Sequence, residues 1–324
     1  MKYHYRLTAS ILEMIQHLII IREAIGLAAP AEARVTEIRR RSLLKSALYS
    51  AKIEGNPLTE TSVLTDKSKH KLEVQQLLAA YEWGFKQTRP LTVGMIKELH
   101  RISMANLDET PGKFRQAQTA IFNQAGVAVY LPPPAMEIKT RMDELVKWLD
   151  KAGDPVPIKA VVSHFWFEKI HPFSDGNGRV GRVMVTYILH LGNLGFGGML
   201  NFEEVLADRR EEYYALLNEK GKEITLFIKF MLESLVKAAD KLMVELKIKG
   251  KRGPDATLLP RQREIYWLIK DHEEVSFDFV KRRFLAVPSS TIHYDLGQLI
   301  KKGLVDKMGQ TRGVRYRIRE PRGL

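Results

Sequence analysis

The sequence predicts a mainly α-helical protein with one small β-hairpin and a separate C-terminal domain. Apolar residues recur at helical spacing through most of the first 250 residues. That spacing is lost between Gln116 and Leu131, where β-branched and aromatic residues flank a polar, glycine-containing turn at 123–126. A charged stretch at 247–254 then precedes a region with its own helical and alternating patterns, which indicates a second domain.

Composition excludes several classes of site and of protein. The 324 residues include no cysteine, so disulfides, thiolate nucleophiles and cysteine zinc sites are excluded. The N-terminus has no uninterrupted apolar core of the signal-peptide type. The apolar run at 18–21 is far shorter than the ~20 residues that cross a bilayer. These features predict a cytoplasmic protein that does not contact a membrane.

The first two helices are predicted at about 8–28 and 34–53. The second ends at Gly55-Asn56-Pro57, which is a strong C-terminal signal. Glu54 lies at that end, where the helix dipole disfavours a carboxylate by about 0.3–1 kcal/mol. The sequence therefore predicts that the fold brings a compensating cation close to Glu54.

Helical patterns account for most of the remaining first domain. Three prolines at 132–134 close the predicted hairpin. His164 falls on a mostly apolar helix, so it is interpreted as a core histidine rather than a metal ligand. The pattern predicts a short and a long helix within 59–90, then helices near 93–106, 137–151, 157–169, 178–190, 203–219 and 223–246.

The most informative stretch is 170–182, which reads Ile-His-Pro-Phe-Ser-Asp-Gly-Asn-Gly-Arg-Val-Gly-Arg. Proline ends the preceding helix, and an apolar helical pattern resumes near Gly178. The stretch is therefore a loop that leads into a helix N-terminus, where free N–H groups and a partial positive charge bind anions. Arg179 and Arg182 are three residues apart, so they are predicted to share one helix face and to bind phosphate oxygens.

Two other side chains of this stretch supply chemistry. Asp175 is its one carboxylate and is predicted to hold Mg²⁺, which usually binds through one or two carboxylates plus substrate phosphates. His171 is the one group of the stretch that can accept a proton near neutral pH. A phosphate cradle, a metal ligand and a base together indicate a nucleotide-using transferase.

The stretch 171–182 resembles the complete signature of the Fic family, His-Pro-Phe-x-Asp-Gly-Asn-Gly-Arg-x-x-Arg. The resemblance implies a Fic-type helical bundle that transfers AMP from ATP to a Tyr, Ser or Thr hydroxyl of a target protein or of itself. Some relatives instead move UMP, a phosphoryl group or phosphocholine. The hairpin would be the flap that pairs with an extended target segment. The implied site comprises the base His171, the Mg²⁺ ligand Asp175 and nucleotide contacts at Ser174, Gly176, Asn177, Gly178, Arg179 and Arg182.

Two further segments carry weaker resemblances. Ser50-Ala51-Lys52-Ile53-Glu54-Gly55-Asn56 is similar to the inhibitory motif Ser/Thr-x-x-x-Glu-Gly/Asn of self-restrained Fic proteins. It implies that Glu54 pairs with Arg182 and occupies the place of the ATP γ-phosphate. The alternative is a surface glutamate beside a turn. Arg209 and the tyrosine pair at 213–214 resemble family positions near the nucleotide, although aromatics at helical spacing more often belong to a core.

The second domain is predicted to span 251–324, which leaves 1–250 for the first. Helices at 261–271, 276–285 and 289–302 followed by strands near 304–307 and 314–318 resemble a winged helix-turn-helix. This region has sixteen Lys and Arg against nine Asp and Glu, so it carries +7 of the net charge of +13. Contacts with duplex DNA are predicted for Ser289, Ser290, Thr291, His293, Tyr294, Arg312, Arg315 and Arg317. The alternative is a winged helix used only for protein contacts or for a homodimer.

Three functions from different classes stay open at this point. The first is protein adenylyltransfer restrained by Glu54. The second is a DNA-binding transcriptional regulator whose Fic domain senses a nucleotide. The third is removal of AMP from modified proteins, in which Glu54 would position a water.

Overall fold

The computed structural model describes residues 3–122, 128–219, 221–246, 258–272, 274–284, 287–309 and 314–319. The chain divides into two compact units, Met1–Ile248 and Lys249–Leu324. The linker predicted at 247–254 lies outside the described residues, so the domain boundary at 250 stays a prediction. Among the described residues, none of the helices has the length and apolar character needed to cross a membrane.

The described part of the first unit is a helical bundle with one two-stranded hairpin, as the sequence predicts. The mainly helical fold class is confirmed. The helices are α1 (Ala9–Ala28), α2 (Glu32–Ile53), α3 (Ser62–Thr65), α4 (Lys69–Phe85), α5 (Val93–Ser103), α6 (Ile138–Lys151), α7 (Val156–Ile170), α8 (Asn177–Leu191), α9 (Glu203–Asp208), α10 (Arg210–Asn218) and α11 (Thr225–Glu245); the strands are β1 (Ile121–Phe122) and β2 (Ala128–Tyr130).

Helices α7 and α8 form the centre of this unit. Helix α7 is buried on almost every side, as expected for a helix without a polar face. His164 on α7 is fully buried, and its Nε2 lies 2.7 Å from the hydroxyl of Tyr213. It is therefore a core histidine, as interpreted from the sequence.

The hairpin is attached to the C-terminal end of α7. Its two strands pair antiparallel, with Ile121 opposite Tyr130. The Tyr130 hydroxyl donates to the carbonyl of Lys169 at 2.8 Å, and the Lys169 ammonium lies 4.4 Å from the centre of the Tyr130 ring. The turn predicted at 123–126 lies outside the described residues. These contacts place the strand ends next to the loop that follows α7.

The single helix predicted at 203–219 is wrong, because the chain breaks at Arg209 into α9 and α10. The two pieces are held by different neighbours. Glu203 of α9 is buried and accepts hydrogen bonds from Tyr81 at 2.6 Å and Ser46 at 2.8 Å. Tyr213 of α10 is buried beneath α7 instead. These contacts are with distant parts of the chain, so helical periodicity does not reveal the break at Arg209.

The described part of the second unit has three helices and a three-stranded antiparallel sheet with its own apolar core. The elements are α12 (Pro260–Asp271), β3 (Glu274–Ser276), α13 (Phe277–Arg283), α14 (Ser289–Lys301), β4 (Val305–Met308) and β5 (Arg315–Ile318). The sheet order is β3-β5-β4, so the sequence missed β3. Three residues are too few to display an alternating pattern. Arg312 lies outside the described residues.

Candidate active site

The loop between α7 and α8 turns sharply at two residues with positive φ. His171 ends α7 in the left-handed region, at φ 48° and ψ 62°. Gly176 has φ 76° and directly precedes α8. Among the described residues no side chain caps α8, so the first N–H groups of this helix face the loop and can bind an anion.

Two buried side chains brace the loop. The Oδ1 of Asn177 accepts from the N–H of Phe173 at 2.9 Å, and its Nδ2 donates to the Phe173 carbonyl at 2.8 Å. His100 on α5 accepts from the N–H of Gly112 and lies 3.0 Å from the carbonyl of Asp175. The side chain of Asn177 is thus occupied, and only its backbone N–H is left for the predicted phosphate contact. Sequence reasoning missed His100, which no local motif marks.

His171 has the properties of a general base. Its Nδ1 is buried, 4.0 Å from Oε2 of Glu168, and about a fifth of the side chain is exposed, which leaves Nε2 as the atom that can reach a substrate. Burial lowers the pKa of His171 to about 4, and the nearby charge of Arg115 acts in the same direction. The imidazole is therefore neutral at pH 7 and able to accept a proton.

Asp175 and Arg179 form an ion pair at the start of α8. The Oδ2 of Asp175 lies 2.8 Å from Arg179, and Oδ1 accepts from the N–H of Gly176 at 2.6 Å. Partial desolvation opposes ionisation of Asp175, but Arg179 and that N–H lower the pKa of Asp175 below its ordinary value. Arg179 also binds Glu73 on α4 at 2.7 Å, a contact that the sequence did not reveal. Ser174 is exposed beside this pair.

The donor set at Asp175 fits Mg²⁺ bound with a nucleotide. Among the described residues, no three His, Cys, Asp or Glu side chains cluster so as to hold a metal on their own. The Asp175 side chain is 69% exposed and reaches the open side of the loop. A single exposed carboxylate suits Mg²⁺, which takes its other ligands from phosphates and water.

Arg182 is fully buried and binds the end of α2. Its Nη2 lies 2.8 Å from Oε1 of Glu54 and 2.9 Å from the carbonyl of Ser50, and its Nε donates to the Ser50 hydroxyl at 2.9 Å. Burial disfavours the charge, but Glu54 raises the pKa of Arg182 above its ordinary value. The Nη1 of Arg182 is buried without a hydrogen-bond partner among the described residues, so it can still donate to an anion.

Glu54 approaches the first turn of α8 very closely. A Cβ atom on Gly178 would lie 2.3 Å from Glu54 Oε1, so this approach requires glycine at position 178. The carboxylate therefore lies beside the free N–H groups of α8 and next to Arg182. Two negatively charged groups cannot share this position, so a phosphate bound here would compete with Glu54.

The compensating cation predicted for Glu54 is Arg182, and a second arginine binds the backbone of the residue before Glu54. Arg210 donates to the carbonyl of Ile53 at 2.6 Å, and the Tyr214 hydroxyl lies 3.3 Å from Oε2 of Glu54. Arg209, named from the resemblance, instead pairs with glutamates of α10 and α11 away from the loop. Sequence reasoning missed Arg210, because a hydrogen bond to a distant backbone carbonyl leaves no local sequence pattern.

The predicted phosphate contacts of Arg179 and Arg182 stay a prediction. Each guanidinium has its own carboxylate partners, Glu73 and Asp175 for Arg179 and Glu54 for Arg182. A nucleotide would have to exchange with these carboxylates to use either arginine fully. The residues of the site are thus close together, but the positive charges of its two arginines are neutralised by carboxylates of the same chain.

Residues 90–189, which include the hairpin, the loop and most of α8, match the model of the Fic/DOC family. These residues form a Fic domain. The chain is 24% identical over 237 residues to protein adenylyltransferase Fic of Drosophila erecta, and this match covers 68% of this chain and 46% of that protein. It is 38% identical over 111 residues to a probable protein adenylyltransferase of Aquifex aeolicus, covering 34% of this chain and 31% of that protein. The chain thus spans less than half the length of these curated relatives.

Solved structures share the fold of this chain. A Fic family protein from Desulfovibrio desulfuricans superposes with a TM-score of 0.67 and 23% identity, over the full length of both chains. A Fic domain containing signalling protein from Bacteroides thetaiotaomicron superposes with a TM-score of 0.61 and 21% identity, over 72% of this chain and 97% of that one. At such identities the likeness establishes the fold.

Proposed function

We propose that this Fic protein transfers AMP from ATP to a Tyr, Ser or Thr hydroxyl of a target protein. The observation that carries the proposal is the neutral, partly exposed His171 beside an uncapped helix N-terminus and the exposed carboxylate of Asp175. The names of the curated relatives, which are protein adenylyltransferases, support the same reaction.

In the proposed reaction His171 takes the proton of the target hydroxyl through Nε2. The freed oxygen attacks the α-phosphorus of ATP, the bond to the bridging oxygen breaks, and pyrophosphate leaves with the electron pair. The first N–H groups of α8 and the unpartnered Nη1 of Arg182 would hold phosphate oxygens. Mg²⁺, held by Asp175 when bound with ATP, would neutralise phosphate charge. Catalysis then rests on positioning and charge stabilisation, as in phosphoryl transfer generally.

We also propose that Glu54 restrains this reaction in the resting protein. Its carboxylate pairs with Arg182 and lies against Gly178, where a phosphate would otherwise bind. Ser50 contributes by fixing the arginine from the same helix. ATP that binds with Glu54 in place would be displaced, so its α-phosphorus would not be aligned for attack.

The direct test is incubation of a cell lysate with the Glu54→Gly protein, Mg²⁺ and ATP labelled at the α-phosphate. We expect labelled protein bands, including the enzyme itself, that are absent when the Glu54→Gly protein is left out, and no label on the purified protein when the label is at the γ-phosphate. Label from γ-ATP alone would indicate phosphoryl transfer instead. Release of AMP from previously modified protein, without new labelling, would favour the de-AMPylating alternative.

The rate of transfer should change little between about pH 8 and pH 5. Because burial lowers the pKa of His171 to about 4, the base stays neutral over that range and becomes protonated only as the pH falls through that value. Self-labelling rates measured across the range, with circular dichroism at each pH as a control for folding, check this. An inflection near 6.5, the ordinary value for histidine, would contradict the assignment.

A second role, duplex DNA binding by the second unit, is favoured by one observation. The N-terminal part of α14 leaves Ser289, Ser290, His293 and Tyr294 exposed, and Arg317 is exposed on β5. We infer that this polar and basic face contacts DNA, as in a winged helix. A regulator whose Fic domain only senses a nucleotide would bind DNA specifically and label no protein.

Binding of the full chain to duplex DNA should weaken steeply between about 50 and 200 mM salt, because bound lysine and arginine release counterions. Arg317→Ala should reduce the slope of log affinity against log salt by about 1, the loss of one phosphate contact. Lys229→Ala, which removes an exposed cation from the first unit, is the matched control. Fluorescence anisotropy measures both. A salt-independent affinity or no binding would leave the protein-contact alternative.

A further inference from the structure

Arg115 differs from the other buried arginines of the Fic domain. It is only 4% exposed, yet among the described residues no carboxylate lies within ion-pair distance of it. Arg179 and Arg182, by contrast, each bind a glutamate. A buried guanidinium without a carboxylate is costly, so its hydrogen bonds must compensate.

Within the part of the chain that the structure describes, the hydrogen bonds of the Arg115 guanidinium all go to backbone carbonyls. Its Nε donates to His171 at 2.9 Å, Nη1 to Ala117 at 3.0 Å and Nη2 to Pro133 at 2.6 Å. Its own N–H donates to the carbonyl of Pro172 at 3.0 Å. The three carbonyls that accept from the side chain belong to segments separated in sequence. The planar, fork-shaped guanidinium of arginine can bind all three at once.

The three acceptor carbonyls belong to the hairpin and to the proposed base. Ala117 precedes β1 and Pro133 follows β2, so they are the two ends of the hairpin, and His171 is the proposed base. The His171 backbone lies in the left-handed region, which a non-glycine residue adopts only when its surroundings hold it there. The hydrogen bond from Arg115 fixes the carbonyl of His171 and therefore the direction of the His171 side chain.

We propose that Arg115 is a positioning residue that couples the hairpin to His171. A target segment that adds as a strand to the hairpin would then be held at a fixed distance from the base. The role of this coupling in catalysis rests on the proposed function. The hydrogen bonds of Arg115 are observed independently of that function. The coupling also has two separable parts, namely the geometry of the fork and the positive charge beside the imidazole.

Two substitutions separate these parts. Arg115→Lys keeps the charge but cannot bind three divergent carbonyls, and Arg115→Met removes both charge and fork. Lys113→Met is the matched control, because it removes an exposed cation two residues away. All three are made in the Glu54→Gly protein so that transfer is measurable.

The first readout is steady-state transfer. We expect kcat to fall about 10²-fold in Arg115→Lys and Arg115→Met, the loss typical of a misplaced catalytic group, and to stay unchanged in Lys113→Met. The KM for ATP should change little, because the N–H groups of α8 and Arg182 are untouched. An equal kcat in the parent and both Arg115 variants would overturn the proposal.

The second readout does not need transfer, so it separates this proposal from the proposed function. Hydrogen exchange at 117–122 and 128–133 should accelerate in both Arg115 variants, while α7 stays protected. In a histidine NMR titration, the pKa of His171 should rise in Arg115→Met and stay near the parent value in Arg115→Lys. Unchanged exchange at the hairpin, or loss of all helical structure in both variants, would overturn the coupling. If the parent protein transfers no AMP, the proposed function fails, but the exchange and titration results still test whether Arg115 couples the hairpin to His171.

Discussion

Replacing His171 with alanine is expected to reduce AMP transfer by about 10²–10⁴-fold, the range typical of a general acid or base. His171 combines a neutral imidazole at pH 7, an exposed Nε2 and a position at the mouth of the anion site. We found no second histidine with partial exposure at this loop in the part of the chain that the structure describes, since His100 and His164 are fully buried. Neither of these two histidines can reach a substrate in place of His171.

The loss should occur without unfolding. The side chain ends a helix and is partly exposed, so its removal leaves little empty volume. His171→Asn is the better variant for this purpose, because asparagine adopts the left-handed backbone readily and cannot act as the base. His17→Ala, which removes an exposed histidine on α1, is the control. Self-labelling of His171→Asn at the parent rate, with a matching melting temperature, would refute the mechanism.

The part of the site that sequence could predict is the part that is contiguous. Residues 171–182 carry the base, the metal ligand and the helix N-terminus in one stretch, so their proximity follows from chain connectivity. The approach of Glu54 to Arg182 spans 128 residues, and only the resemblance to the Fic family suggested it. The charge of Glu54 at its own helix end predicted that a cation was needed, but did not identify which one.

The residues that sequence could not predict act through distant partners. Arg115 binds carbonyls, and a carbonyl is present at every position, so no residue type marks its acceptors. Arg210 is a similar case, since it binds the backbone of Ile53. Glu73 lies on the polar side of a helix, where a glutamate is ordinary until the fold brings Arg179 to it. Tertiary packing decided these contacts.

Replacing Glu54 with glycine is expected to raise AMP transfer at least tenfold above wild type, a change worth about 1.4 kcal/mol. The pair with Arg182 is buried on the arginine side, so it stabilises the resting arrangement more than an exposed pair would. Removing the carboxylate frees Arg182 and the N–H groups of α8. The base, the metal ligand and the loop are not altered. Glu54→Gln, which keeps the shape and loses the charge, should activate as well.

The order of activities among variants is more decisive than any single rate. We expect Glu54→Gly above wild type, Arg182→Ala below it, and the double variant below Glu54→Gly, because the freed arginine is what the nucleotide uses. Lys52→Gly, which places glycine near the same helix end but keeps the carboxylate, should resemble wild type and so controls for loosening of α2. A general loss of stability would lower transfer in every variant. Equal self-labelling of wild type and Glu54→Gly with ATP and Mg²⁺ would instead leave Glu54 as a glutamate that only stabilises a helix end.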